Sequence, residues 1–252
     1  EDLAEIAGVP VEALMTLSVE DILDAQSTLA RKNAVFAATN IPLMPVADGI
    51  IIPDNVHETA LSGAQGKKIM LGSTHDEMHA FLAGQPDIEN ATDAQIDDVF
   101  KREFGDKWQE VLTYCRNRRP GATPMEILSA GLNQANFAGQ TSAFASELST
   151  EGVDAWLYRF DWKAPDSPFF ACHCIELPFV FNTFEDWMPP MVAGLNTAEA
   201  GALSRVVQKT WASFAANGDP NHEELVDWPS YNNEDRPQLI WNSFIETINR
   251  PA

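Results

Sequence analysis

The sequence predicts an α/β fold built on a mostly parallel sheet. Three observations carry that expectation. Runs of β-forming residues alternate with long stretches of helical periodicity, the pattern of strands joined by helical crossovers. The first such run, KKIMLGST at 67–74, is nearly continuously apolar, as parallel strands covered on both faces are. The composition is globular: 45% hydrophobic and 21% charged residues over 252 positions can bury a full core and are too apolar for a disordered chain. Only three or four strands are visible, few for a self-contained sheet of this length, so part of a larger protein is expected.

Ser18, with Glu20 and Asp21 behind it, is placed to cap a first helix whose apolar residues Val19, Ile22, Leu23, Leu29 and Ala30 keep helical spacing. Periodicity is lost over 33–66, where Pro42, Pro45, Asp48-Gly49 and Pro53 predict a long ordered loop. KKIMLGST is the first strand, its apolar run ended by Gly72. Thr92 and Gln95 form a capping box ahead of Ile96, Val99, Phe100 and Phe104, with Gly105 as the stop. Asp106 is expected to cap the next helix, through Trp108, Val111, Leu112 and Cys115, which must end before Pro120. Thr123, Pro124 and Glu126 are cap, first helical residue and N3 acid of a long third helix. Aromatic and β-forming residues at 153–162 predict a second strand. Asn196 or Thr197 opens a helix that Gly218 closes, with Leu203, Val206, Val207, Trp211 and Phe214 on one face. QLIW at 238–241 and FIETI at 244–248 are terminal strands around an Asn242-Ser243 turn.

Charge and composition exclude several functions. Lys plus Arg is 16 and Asp plus Glu is 37, a net charge of −21. No basic stripe exists to neutralise phosphates or to dock on an anionic membrane, so neither nucleic acid nor membrane is expected as a partner. No run reaches the ~18 apolar residues that a bilayer span needs. The first residues, EDLAEIAGVPVEALM, lack the basic region and apolar core of a secretory signal and do not begin with Met, so the chain is expected to start inside a longer polypeptide. Three cysteines, Cys115, Cys172 and Cys174, do not make a disulfide framework, and a reducing compartment is the default.

Two segments hold residues suited to chemistry. Gly72-Ser73-Thr74-His75-Asp76-Glu77 stands at the carboxyl end of the first strand, where open α/β sheets gather their active groups. Adjacent acids cannot face the same way on such a turn, so at most one points into a site. The alternative is a solvated helix start, where acids offset the dipole. The second segment is ACHCIELPFVF at 171–181. Its His173 is either a general base with a tuned pKa or a satisfied core histidine. Cys-His-Cys invites a metal reading, but a tetrahedral site needs a second ligand pair and no CxxC is in the sequence. Cys172 or Cys174 as nucleophile would have to bond a base next to it along the backbone, which the chain geometry disfavours.

Taken together, the motifs resemble the type-B carboxylesterases, the branch of the α/β-hydrolase fold that includes para-nitrobenzyl esterases and cholinesterases. Pro45-Val-Ala-Asp48-Gly49 with Pro53 resembles the family's P-x-x-D-G…P loop. GSTHDE resembles its strand ending in G-x-x-x-D-E. WLYRFDW followed by ACHCIELPFVF resembles its strand and H-x-x-D/E-I/L-x-F-V-F segment. Trp211 through Asn221, then Trp228-Pro229 and Tyr231, resembles its W-x-x-F-A-x-x-G-x-P-N…W-P-x-Y ending. Four such segments in order span nearly the whole chain.

The resemblance implies the C-terminal portion of one α/β-hydrolase domain over 1–252, and a carboxylic ester hydrolase with a Ser–Glu–His triad. Glu77 matches the triad acid and His173 the base, in the family's order of acid before histidine. It implies Phe81, four after Glu77, as an aromatic on the acyl side of the substrate gorge, and adds Phe179 as a second substrate-facing candidate. Ala80 stands where choline-selective members carry a cation-binding aromatic, so choline esters are disfavoured. Asp76 is expected to brace the loop, Glu176 to orient the His173 loop, and Trp187 and Met188 to sit near a pocket mouth. His57 and His222 are read as surface residues. No metal or organic cofactor is implied. The sequence holds no G-x-S-x-G and no HGGG-like segment, so the chain by itself is expected to be inactive and to need the missing N-terminal half as partner. A non-catalytic, esterase-like adhesion domain is the alternative, and it has no need of both Glu77 and His173.

Overall fold

The computed structural model describes residues 1–38 and 43–250; Pro42 of the expected loop lies outside them. The chain divides into two units, Glu1–Val56 and His57–Ala252.

In the first unit, a short helix Asp2–Ala7 ends at Gly8 in the left-handed conformation (φ 68°), and a second helix runs Val19–Lys32. Ser18 caps the second helix as its sequence predicts, accepting the Asp21 N–H at 3.1 Å. Ala25 and Leu29 are its buried residues. Further on, the Asp48 carboxylate accepts the N–H groups of Ile50, Ile51 and Ile52 at 2.8–3.0 Å, which holds the Asp48-Gly49 turn and lowers the Asp48 pKa.

The second unit is organised by one sheet. Its strands are β1 (Ile69–Thr74), β2 (Ala155–Phe160), β3 (Gln238–Trp241) and β4 (Glu246–Ile248), in the order β1-β2-β3-β4. β1 is parallel to β2 and β2 to β3, while β4 returns antiparallel around the Asn242-Ser243 turn. Among the described residues β1 pairs on one side only. It forms an edge of this sheet although its sequence is that of a covered strand.

β2 explains why that pattern is so apolar. Trp156 and Phe160 point into one cluster, with Trp162, Phe179, Trp228, Leu239 and Trp241, under Leu203 and Val207 of the Thr197–Asn217 helix. Ala155 and Leu157 point the other way, onto Leu148 and Ala145 of the Gly139–Thr150 helix. Side chains alternate across a strand, so a strand with helices on both faces buries apolar residues on each of them.

Most expected helices form where their caps put them. Capping boxes at Thr92/Gln95 and Thr123/Glu126 start helices Asp93–Phe104 and Pro124–Asn133, and Gly218 closes Thr197–Asn217 in the left-handed conformation (φ 69°). Two expectations are corrected. Asp106 does not cap the Trp108–Arg118 helix: it lies in a 3₁₀ turn, Gly105–Lys107, that runs straight into the helix. The region read as loop contains a helix, Val56–Gly63. Near it only Leu61 and Ala64 reach the core, too few apolar positions to show a period. The long third helix is interrupted by a π-turn at Gln134–Ala138 before continuing as Gly139–Thr150.

Candidate active site

After Thr74 the chain leaves β1 and is tied down at once. The His75 N–H donates to Phe160 O at the end of β2, and the Asp76 N–H donates to Ala171 O, both at 2.9 Å. Asn133 Nδ2 donates to His75 O at 2.9 Å. This turn sends the two adjacent acids apart. Asp76 pairs with Arg119 and with His75 Nδ1 (3.1 Å). Glu77 folds back, so that its Oε1 accepts the Thr74 N–H at 2.7 Å, and it is 5% exposed.

His173 is presented by a strained loop. Phe170 (φ 54°) and Cys174 (φ 68°) are both left-handed without being glycine, and the Ile175 N–H donates back to Cys172 O at 3.1 Å. Cys172 is fully buried, while the His173 side chain is 42% exposed. Although 96 residues separate them, His173 Nδ1 lies 2.6 Å from Glu77 Oε2. Among the described residues no hydrogen bond engages His173 Nε2. A carboxylate on Nδ1 fixes the neutral ring with its proton there and leaves Nε2 as the basic atom facing outward.

Two phenylalanine rings lie beside the His173 ring. Phe81 lies at 5.2 Å and Phe137 at 5.6 Å between centroids. Phe81 is 40% exposed. Phe137 went unmarked in the sequence. It stands in the π-turn, and such turns arise where one extra residue is fitted into a helix, often beside a functional site. A signal was present in Gly139: a Cβ there would come 2.2 Å from Gln134 O, so the turn requires glycine at its exit.

The remaining candidates separate clearly. Phe179, the second substrate-facing candidate, is fully buried in this structure against Phe160, Trp162 and Phe184. Cys172 is pushed up to about 12 by burial foremost, and Cys174 is also raised by burial, so both remain thiols rather than thiolates at neutral pH. Glu176 makes no hydrogen bond to His173 among the described residues; burial, then the charge of Glu77, raises its pKa. His79 is 1% exposed and packs edge-on to Phe170 at 4.4 Å between centroids, and burial lowers its pKa. His57 pairs with Glu147 at 2.6 Å on the surface, and His222 Nε2 meets Thr210 Oγ1 at 3.0 Å. Trp187 makes no ring contact with His173 among the described residues.

Burial by itself would raise the Asp76 carboxyl, but the His75 hydrogen bond and the charges of His75 and Arg119 outweigh it and hold it well below its ordinary 3.8. A lowered carboxyl contributes stability that is complete above its unfolded pKa and is lost as pH falls through the folded one. Asp76→Asn is therefore expected to cost about 2 kcal/mol at pH 7 and to flatten the acid limb of the stability curve below about pH 4. Urea melts from pH 7 to pH 2 check this; a variant with the parent's acid limb would show that Asp76 does not brace the loop.

A model described as the carboxylesterase family matches residues 4–245. The chain belongs to that family. Family members of known sequence include the para-nitrobenzyl esterase of Bacillus subtilis (strain 168), 30% identical over 247 residues, which cover 96% of this chain and 47% of the esterase. A phenmedipham hydrolase of Pseudarthrobacter oxydans is 26% identical over 233 residues, 91% of this chain and 46% of that protein. Among solved structures, a Geobacillus stearothermophilus carboxylesterase superposes with a TM-score of 0.79 at 27% identity, over 99% of this chain and 51% of the other. A thermophilic para-nitrobenzyl esterase gives 0.77 at 27% identity. The fold is thus that of an α/β-hydrolase carboxylesterase, and the chain spans about half the length of the relatives it matches.

Proposed function

We propose that this chain supplies the acid and the base of a serine carboxylesterase, with the serine on polypeptide outside the given sequence. One observation carries the reading: a buried carboxylate, Glu77, bonded to a ring whose other nitrogen, His173 Nε2, makes no hydrogen bond among the described residues. In this reading Nε2 takes the proton from the serine hydroxyl as the oxygen attacks the ester carbonyl. Glu77 stabilises the imidazolium and keeps its tautomer. The imidazolium then protonates the departing alcohol, and the same nitrogen activates the water that hydrolyses the acyl-enzyme. The adhesion-domain alternative leaves this bonded pair without a purpose.

Phe81 and Phe137 are apolar walls for the acyl part of the ester, beside the atom that moves the proton. Ala80, with no aromatic ring for a quaternary ammonium, favours uncharged esters over choline esters. Aryl and benzyl esters, of the kind in the name of the Bacillus subtilis relative, are the substrate class to try first. The serine-bearing segment is the partner, as part of one α/β-hydrolase domain with residues 1–252. It is proposed to pair along the open side of β1, whose unpaired N–H and C=O groups need a neighbouring strand.

The chain alone is expected to turn over p-nitrophenyl esters no faster than buffer, because it holds neither the nucleophile elbow nor the oxyanion donors. Expressed together with the upstream segment, it is expected to be active. Turnover by the chain alone that disappears in Cys172→Ala would sink the reading and make the thiol the nucleophile.

A further inference from the structure

A cavity of about 90 Å³ opens where the C-terminal end of the Trp108–Arg118 helix, β2 and the segment after β4 meet. Its wall carries Arg118, Arg119, Arg159 and Arg250 and, among the described residues, no carboxylate. Four of the chain's nine arginines thus line one cavity in a protein whose net charge is −21. Neither Glu77 nor His173 is part of it.

Two of the four are already paired. Arg119 holds Asp76, and Arg159 holds Asp161 through two parallel hydrogen bonds. Among the described residues neither Arg118 nor Arg250 has an acid within ion-pair distance; Arg118 lies 5.9 Å from the Tyr114 ring centroid. Among the described residues, four positive charges less two negative ones leave two unmatched. Burial foremost, and then the positive charges of Arg159 and Arg118, lower the Arg250 pKa, although by surface area Arg118 and Arg250 both lie exposed at the cavity mouth. The helix end accounts for Arg118, since cations offset the negative pole there. It does not account for Arg250, whose backbone N–H is fixed to Asp235 O at 2.8 Å.

Guanidinium forks match planar and tetrahedral oxyanions, which they bind through paired charge-assisted hydrogen bonds. We propose that this cavity is an oxyanion-binding site, seating one phosphate or carboxylate group between Arg118 and Arg250. The anion is either free in solution or an acidic side chain from polypeptide outside this sequence.

Calorimetric titration of the 252-residue chain with inorganic phosphate, at ionic strength held constant with chloride, tests the site. Saturable binding at one site is expected. Arg250→Gln and Arg118→Gln are each expected to weaken it about tenfold, the value of one charge-assisted hydrogen bond. Arg250→Lys, which keeps the charge and loses the fork, is expected to weaken it less. No saturable binding, or binding unchanged in the Arg118→Gln/Arg250→Gln double variant, overturns the proposal. So does a sharp fall in the phosphate-free melting midpoint of that variant, since the arginines would then be holding the fold. Repeating the titration on protein that includes the serine-bearing segment separates the sources: retained binding assigns a free anion, and binding seen only with the isolated chain assigns an acidic side chain of that segment.

Discussion

Glu77→Gln, made in protein that carries the serine, is expected to lower kcat by about 10⁴-fold with KM little changed. The fold should survive. A glutamine oxygen can still accept the Thr74 N–H that Glu77 accepts at 2.7 Å. Its amide nitrogen then faces His173 Nδ1, 2.6 Å away in the parent, as a donor instead of an acceptor. The ring answers by carrying its proton on Nε2, the one atom that must be empty to receive the serine proton. An amide also cannot balance an imidazolium. His173→Ala should cost at least as much, and the Glu77→Gln/His173→Ala double variant no more than His173→Ala alone, because the two act as one unit. Steady-state kinetics on a p-nitrophenyl ester, with thermal melts run beside them, decide it. Activity within tenfold of the parent in a folded Glu77→Gln protein would remove Glu77 from the mechanism.

The second large effect is expected from a single methyl group. Gly72 of β1 lies opposite Tyr158 of β2, and a Cβ at Gly72 would come within 2.5 Å of three Tyr158 ring carbons. The ring has little freedom to withdraw, for it packs edge-on to Trp211 at 5.3 Å and to Trp228 at 6.5 Å between centroids. Gly72→Ala is therefore expected to cost about 1–3 kcal/mol by overpacking and to push β1 away from β2 only five residues before Glu77. Chemical denaturation should show the loss. Tyr158→Ala in the Gly72→Ala background should relieve the crowding, although it opens a cavity of its own. If Gly72→Ala is as stable as the parent, glycine at this position serves something other than room for the ring.

Local chemistry was legible wherever it is encoded within a few residues. The caps at Ser18, Thr92, Thr123 and Asn196 and the stop at Gly218 depend on a side chain or a φ angle next to the helix end. They stand in the structure where the sequence put them. Asp106 misled because a cap signature competes with a 3₁₀ turn that serves the same N–H groups. The helix Val56–Gly63 was illegible because most of its residues face outward, leaving no period to read. In the site, Glu77 and His173 were marked by the resemblance of their motifs, not by spacing. Phe137 was missed because a π-turn shows in sequence only as an unremarkable glycine.

By itself the sequence determined the order of the four strands and of the capped helices, the family, and the lack of a nucleophile elbow within these 252 residues. Those properties reside in local propensity, in contiguous motifs and in composition. Only the tertiary structure decided that Asp76 turns to Arg119 while Glu77 turns to His173, that Phe179 is core and Phe137 is not, and that arginines from three separate segments converge on one cavity. Each of these depends on contacts between residues far apart in the chain. The packing of both faces of β2 and the hydrogen bonds that anchor the 74–77 turn set them, and no local pattern encodes such contacts.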